Sequence, residues 1–448
     1  MSSERQREAH RRPGAVYFSG LDVAGVRCFG PAQHLDLTDG DRPAKWTIVL
    51  GENGVGKTTL LQCLWTMAPY VAAVRPGALV GSHPRGYPGG PRVHGFRRAA
   101  GEPLAMTASI VVDELLQSAR IGKSSSATFS SVHDQRLDLQ SDRSGVYDNF
   151  ANSVCCGYGA LRRSAEGGVE GVESGHSAAS LFSDTATLVS ASEWFLRADY
   201  AAKSSADPRA IERRDRVQAA LVGGLLPDVQ DVRVAGLDGD NPQPRIEVQT
   251  PYGWVPMRAL GLGYRSMIAW VVDLASRMFE AYPDATDPLT EPAVALIDEI
   301  DLHLHPRWQR EITAHLDRVF PNVQFIATAH SPLVVQGAGV TNVAVLRRVA
   351  DHVEILNDPE EVRGWRVDQI LTSDLFGLPS ARAVDVEKLL DRQRELVLID
   401  HPSPIELAEL ERIDRALAEI PSGETATDRR TWALLNDIAA RAHVDPDQ

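Results

Sequence analysis

Lysine is nearly missing from this 448-residue chain: Lys45, Lys57, Lys123, Lys203 and Lys388 are the only five among 46 basic residues. Each lysine is therefore more informative than usual. Cysteine is equally scarce, and Cys28, Cys63, Cys155 and Cys156 show no C-x-x-C spacing. That argues against a zinc finger, an iron–sulfur cluster or a disulfide framework, and it fits a reducing compartment. No uncharged apolar run approaches the ~18–20 residues of a membrane span. The polar, arginine-rich first twelve residues are not followed by the apolar segment of a secretory signal. The expectation is a cytoplasmic protein without membrane association. Positive charge is also short, since 46 Lys+Arg face 60 Asp+Glu for a net −14. This balance disfavours a protein that coats nucleic acid through its overall charge. With 43% hydrophobic and 24% charged residues, global disorder is excluded and a sizeable core is expected.

What is present is a series of short apolar runs separated by helical patterns, the mark of an α/β fold with a parallel sheet. Trp46 to Leu50, Ala293 to Ile297, Val323 to Ala327 and Val343 to Leu346 read as buried strands. Ser153 to Tyr158 reads as a strand turning at Gly157 and Gly159, and 244–256 as a hairpin turning near Tyr252 and Gly253. Residues 209–222 and Ala259 to Met278 have helical rhythm. Between about 75 and 205 the texture shifts to Gly, Ser, Arg and Pro, which predicts an insertion and not a second fold. The expected division is an N-terminal lobe over 1–75, an inserted lid over 76–244, a C-terminal lobe over 245–350 and an acidic helical tail over 351–448.

Charge is segregated along this plan. From Thr341 onwards 13 Lys/Arg face 22 Asp/Glu, so −9 of the −14 lies there. Leu410, Ile413, Leu417 and Ile420 fall on one helical stripe in that tail, suited to core packing or to docking a partner. Conversely, residues 75–123 carry Arg75, Arg85, Arg92, Arg97, Arg98, Arg120 and Lys123 against Glu102, Asp113 and Glu114, a net of +4. This stretch is a candidate nucleic-acid contact, with a solvated lid as the ordinary alternative.

The chemistry concentrates in three motifs. Gly51-Glu52-Asn53-Gly54-Val55-Gly56-Lys57-Thr58-Thr59 satisfies G-x-x-x-x-G-K-[ST] between a strand and a helix. A chance match at the chain's own residue frequencies is expected about 0.003 times. Backbone N–H groups and a helix dipole would cradle phosphates, Lys57 would bridge their oxygens, and Thr58 would offer a hydroxyl to Mg2+. Asp298 and Glu299 end an apolar strand, where Asp298 would hold Mg2+ and Glu299 would act as general base. His330 ends the next strand and would sense a γ-phosphate. The string Asp301-Leu302-His303-Leu304-His305 has alternating ligand types, yet nothing completes a metal cluster around it.

Taken together, GENGVGKT (51–58), GLGYRS (261–266), LIDEID (296–301) and ATAHSP (327–332) resemble the ABC-type ATPase heads of the SMC, RecF and OLD branch. Within it the chain looks most like compact bacterial AAA-labelled ATPases, including the Septu-type PtuA proteins of anti-phage systems. The resemblance covers roughly residues 15–75 and 245–350. It implies a P-loop NTPase fold, an ABC-type head with a β-subdomain, in which two heads sandwich two ATP molecules. Leu260 to Ser266 matches the signature loop that completes the partner's phosphate site, and Asp301 matches the D-loop. Gly261 stands where the signature serine is usual, so a hydroxyl donor is lost. The backbone of Gly261 and Gly263, with the charge of Arg265, would have to serve. The Q-loop glutamine is not assignable, and Arg162, after the strand ending at Tyr158, is a candidate phosphate neighbour.

The expected function is an ATP-binding and hydrolysing switch that dimerises or assembles further and drives a separate effector, such as a nuclease in an anti-phage system. No nuclease centre is expected in the chain itself, since after Val340 D-x-D occurs only at Asp445-Pro446-Asp447. The alternative is a RecF-like DNA-binding repair ATPase acting through residues 75–123.

Overall fold

The computed structural model describes residues 15–70, 81–82, 98, 105–113, 125–132, 137–141, 154–164, 177–204, 208–226, 228–236, 244–337, 342–357, 364–399, 401–418 and 420. They divide into two compact units, residues 1–377 and 378–448.

The main elements of the first unit, in chain order, are β1 (Ala15–Ala24), β2 (Trp46–Gly51), α1 (Lys57–Met67), β3 (Ala105–Asp113), β4 (Val154–Tyr158), α2 (Ala191–Ser204) and α3 (Pro208–Ala220). They continue with α4 (Leu262–Ala281), β5 (Ala293–Ile297), α5 (Pro306–Val319), β6 (Val323–Thr328), β7 (Asn342–Val349) and β8 (His352–Asn357). The central sheet has the order β4-β5-β6-β2-β7-β8. Its first five strands are parallel, and β8 closes one edge antiparallel to β7. A second, antiparallel sheet places Leu137–Ser141, Ser125–Val132, β3, β1 and Gln33–Asp36 side by side. The α/β class with a parallel sheet therefore stands as the strand pattern predicts.

The sequence dictates this layering directly. β5 and β6 are buried along their whole length, because a parallel sheet is covered on both faces and its strands must be apolar throughout. Side chains alternate between the faces. Ile48, Leu50, Ala295, Ile297, Phe325 and Ala327 enter one cluster with α4 and α5, while Val49, Val294, Leu296 and Ile326 enter another with α1 and β1. Trp46 stacks on Phe325 with ring centroids 4.4 Å apart, tying β2 to β6. Helix α4 is buried on nearly every side over its middle turns. Its one charged core residue, Asp273, is 0% exposed. It accepts from Arg277 Nε at 2.7 Å and from Tyr158 Oη at 3.0 Å, so the buried charge is paired and hydrogen-bonded.

The stretch 76–244, expected as an inserted lid, supplies strands to both sheets: β3 pairs with β1, and β4 pairs with β5. The hairpin forms as predicted, Arg245–Thr250 pairing with Gly253–Pro256 around Gly253 at φ 112°. The strand following residue 350, β8, is part of the central sheet. In the second unit, helices α6 (Val384–Val397) and α7 (Pro404–Ala418) bury Leu396 and Ile413. Arg392 joins them by two hydrogen bonds to the Glu409 carboxylate, each 3.0 Å. Among the described residues no helix is long and apolar enough to cross a membrane.

Candidate functional site

β2 delivers the glycine loop to the N-terminus of α1, as the motif requires. Gly51, Gly54 and Gly56 have φ of 145°, 79° and 97°, a region open to glycine and costly for other residues. A Cβ on Gly56 would collide with Cys28 Sγ, and one on Gly51 would lie 2.7 Å from the Leu346 carbonyl. Glu52, Asn53 and Gly54 are exposed, whereas Val55 is buried and anchors the loop. Gly56 caps α1 without any side-chain acceptor, and the first turn holds no acidic residue, so its N–H groups suit an external anion. Lys57 is buried, and its Nζ donates to the carbonyls of Gly51 (2.7 Å) and Glu52 (2.8 Å). Burial pushes its pKa below the usual lysine value, against the pull of Asp298, Glu299 and Asp301. Thr59 faces inward and accepts from Arg27 Nη1 at 3.2 Å.

β5 and β6 run in register, Ile297 opposite Ala327, so Asp298 and Thr328 emerge side by side. A continuous hydrogen-bond chain follows from that register. Thr58 Oγ1 donates to Asp298 Oδ2 at 2.7 Å, and Thr328 Oγ1 donates to Asp298 Oδ1 at 2.7 Å. The Glu299 N–H in turn donates to Thr328 Oγ1 at 2.7 Å. Asp301 Oδ2 accepts the backbone N–H of His330 at 2.9 Å, while its buried Oδ1 has no hydrogen-bond partner among the described residues. The phosphate loop, both carboxylates, Asp301 and His330 thus meet at one sheet edge.

Arg162, expected beside a phosphate, has a different place. It is 3% exposed at φ 37°. Its Nε donates to the Gly159 carbonyl at 3.1 Å and its Nη2 to the Asp298 carbonyl at 2.7 Å and to the Glu299 carbonyl. The guanidinium clamps the backbone that carries the two carboxylates. Burial lowers its pKa to about 10, with Asp298, Asp301 and Glu299 opposing. Thr328 and Arg27 are the other participants to which the motifs assigned no role. Thr328 stands inside ATAHSP, and pairing the two strand-end motifs in parallel register would have exposed it.

Gly261, Gly263 and Arg265 lie at the N-terminal end of α4, and the two glycines line a hollow of about 650 Å3 with Tyr264, His303, His305 and Trp308 but no phosphate-loop residue. Gly261 is exposed and caps the helix. A Cβ on Gly263 would strike the His303 carbonyl, so glycine is what lets this loop touch the segment that follows Asp301. Arg265 Nε is buried and, among the described residues, has no hydrogen-bond partner. His303 adopts φ 63°, and His305 Nδ1 accepts from the Arg307 N–H at 3.3 Å, starting α5.

Two expectations fall largely on undescribed residues. Of the seven cations named in 75–123, Arg98 alone is described, and it pairs with Asp351 at 2.7 Å. Asp445 and Asp447 lie outside the described residues.

The residues present fit magnesium and a nucleotide. The Thr58 hydroxyl spends its proton on Asp298 and keeps its lone pairs for a cation, giving the hard oxygen set magnesium prefers. The close approach of the loop to Leu346 and Cys28 admits no Cβ at Gly51 or Gly56, which keeps its N–H groups in place for an anion.

Residues 47–336 match the family described as "AAA domain, putative AbiEii toxin, Type IV TA system". The chain is similar to the Septu protein PtuA of Bacillus mycoides (strain KBAB4), 37% identical over 146 residues, 32% of this chain and 20% of that protein. It is similar to the "Retron Ec83 probable ATPase" of Escherichia coli, 34% identical over 139 residues, 31% of this chain and 25% of that protein. These matches span only a fifth to a quarter of each relative. Among solved structures, an SMC head bound to the C-winged helix domain of ScpA aligns with 76% of this chain and 97% of its own, at 14% identity and TM-score 0.44. The recombination mediator RecF with ATP aligns with 78% and 99%, at 11% identity and TM-score 0.40.

Proposed function

The chain belongs to the AAA-domain family matched over residues 47–336, and from that premise we propose that it is an ATP-binding and hydrolysing switch acting as a homodimer on a separate effector. The observation that carries this reading is the hydrogen-bond chain Thr58–Asp298–Thr328–Glu299, which couples the phosphate loop to the base. On nucleotide binding, Lys57 Nζ exchanges its two carbonyl acceptors for phosphate oxygens, and the N–H groups at the start of α1 meet the same anion. Magnesium, held by Thr58 and Asp298, would neutralise charge between the outer phosphates. Glu299 takes the proton of the attacking water, a contribution on the order of 10²–10⁴-fold. Thr328 and Arg162 hold its backbone from both sides, and Asp301 orients His330 toward the γ-phosphate.

Dimerisation is supported by the position of the signature-like loop. Gly261 and Gly263 face a hollow of their own, and Leu262 between them is 52% exposed. A second copy would bring these groups to the γ-phosphate. Because Asp301 and His303 belong to one short segment, contact there would also reach the base. The effector reading rests on the Septu and retron relatives together with the expected acidic tail, and a nuclease in an anti-phage system is the favoured partner.

Light scattering of Glu299→Gln with and without ATP and magnesium tests the dimer. The mass is expected to double with nucleotide, and an unchanged monomer would refute the sandwich. DNA cleavage by the isolated chain, abolished by Lys57→Ala, would refute the separate effector.

A further inference from the structure

A second cavity, of about 590 Å3, opens between α2, α3 and the C-terminal turns of α4, and no motif residue lines it. Its size falls in the ~300–1,000 Å3 range of small-molecule pockets. Trp194 and Phe279 form an aromatic wall, their ring planes 29° apart. The Arg213 guanidinium lies 4.9 Å over the Phe279 ring and 5.9 Å from that of Trp194. Arg197, Arg209 and Arg216 join it from the same two helices.

These arginines are unequally satisfied. Arg197 is paired with Glu193 and Arg216 with Asp287, and Arg209 approaches Asp284 at 3.9 Å. Arg213 has aromatic faces but, among the described residues, no carboxylate at ion-pair distance. Burial lowers its pKa, with Glu280 the one opposing charge. A half-buried guanidinium held against aromatic rings can stack on a further planar group and donate its N–H groups to anionic oxygens. A dianionic phosphate needs more than one guanidinium, and Arg197, Arg209 and Arg216 line the same cavity as Arg213, where a phosphate would compete with their carboxylate partners. Glu193, Glu212 and Glu280 add acceptors for ring and exocyclic N–H groups.

We infer that this cavity binds a purine 5′-mononucleotide, its base on the Trp194–Phe279–Arg213 wall and its phosphate among the arginines. An apolar ligand would leave the arginines unused, and a simple anion would leave the aromatic wall unused. The site also has a route to regulation, a consequence that rests on the proposed switch. Phe279 lies 17 residues beyond Leu262 on the same helix, roughly 25 Å at 1.5 Å per residue. A ligand gripping the end of α4 bears on the element that presents Gly261 and Gly263.

The test is calorimetric titration of AMP and GMP into the full chain carrying Lys57→Ala, so that the phosphate loop is disabled and binding is independent of the switch. One of the two is expected to bind with one-to-one stoichiometry, at least tenfold more tightly than adenosine or inorganic phosphate. Adding Arg213→Ala should weaken it at least tenfold, and the cavity-filling Ala198→Phe, which leaves every charge in place, should do the same. Circular dichroism melts verify that each variant is folded. No binding of either nucleotide at about 1 mM, equal binding of adenosine or phosphate, or unchanged affinity in either folded variant would overturn the assignment.

Discussion

Arg162→Ala is the most revealing perturbation, because the geometry separates its effect on turnover from its effect on nucleotide binding. The side chain is 3% exposed and holds the carbonyls of Gly159, Asp298 and Glu299. Its loss takes the donor from the buried carbonyls of Gly159 and Asp298 at about 1–3 kcal/mol each, whereas the Glu299 carbonyl keeps the Leu302 N–H. Water entering the vacated space offsets part of that, so a net cost of about 3–5 kcal/mol is expected, in line with removal of one partner from a buried charged network. Against a typical total of ~5–15 kcal/mol the chain should stay folded, with a melting temperature lower by on the order of 5–10 °C. Glu299 stands at φ 48°, a strained conformation for a non-glycine residue. Its carbonyl loses the Arg162 bond and keeps the Leu302 N–H, while its own N–H stays on Thr328. A shift of the base by about 1 Å costs roughly 10²-fold in rate. The Lys57 and Thr58 bonds do not pass through Arg162, so nucleotide affinity should change only a few-fold. Phosphate release under saturating ATP, paired with calorimetric binding of ADP, reads the two quantities separately. Arg162→Lys should fall between, because one ammonium cannot fork to three carbonyls. Turnover within twofold of the parent, or an affinity loss as large as the turnover loss, would refute the clamp.

Other expectations follow from the same site and from the core. Thr328→Val keeps the shape but removes the bridge between Asp298 and the Glu299 N–H, so turnover should fall about tenfold or more while ADP affinity stays near the parent value, measured as above. His315 is buried on α5 with Nδ1 2.8 Å from Arg318 Nη2, and burial holds its pKa below 6.5. The unfolded chain therefore takes up a proton more readily, and the contribution of this neutral histidine is lost as pH falls from 6.5 through the lower folded value. His315→Gln should lose less stability than the parent between neutral and mildly acidic pH in denaturant titrations.

The sequence revealed the parts of this site that are local. A strand, a glycine loop and a helix are specified by adjacent residues, and the need for positive φ at Gly51, Gly54 and Gly56 is written in their identity. The carboxylates and His330 were legible for a related reason, since polar residues at the ends of buried parallel strands must gather at one edge. The roles of Thr328 and Arg162 depend on pairing between distant segments. Thr328 meets Asp298 only because β6 lies beside β5 in register, and Arg162 reaches both carboxylate residues only because β4 occupies the outer edge. The same nonlocality explains why residues 76–244 read as an insertion. β3 lies inside its sheet against β1 and β4 lies at the edge of the central sheet against β5, partners far away in the chain.

The central claim is that this edge hydrolyses ATP, with Lys57 binding phosphate and Glu299 activating water. The most direct measurement is single-turnover phosphate release by the full chain, Lys57→Ala and Glu299→Gln, with ATP affinity determined in parallel. The account predicts that Glu299→Gln binds ATP like the parent but releases phosphate at least ~10²-fold more slowly. Lys57→Ala should weaken binding by roughly 10–100-fold. A Glu299→Gln variant that hydrolyses at the parent rate would contradict it.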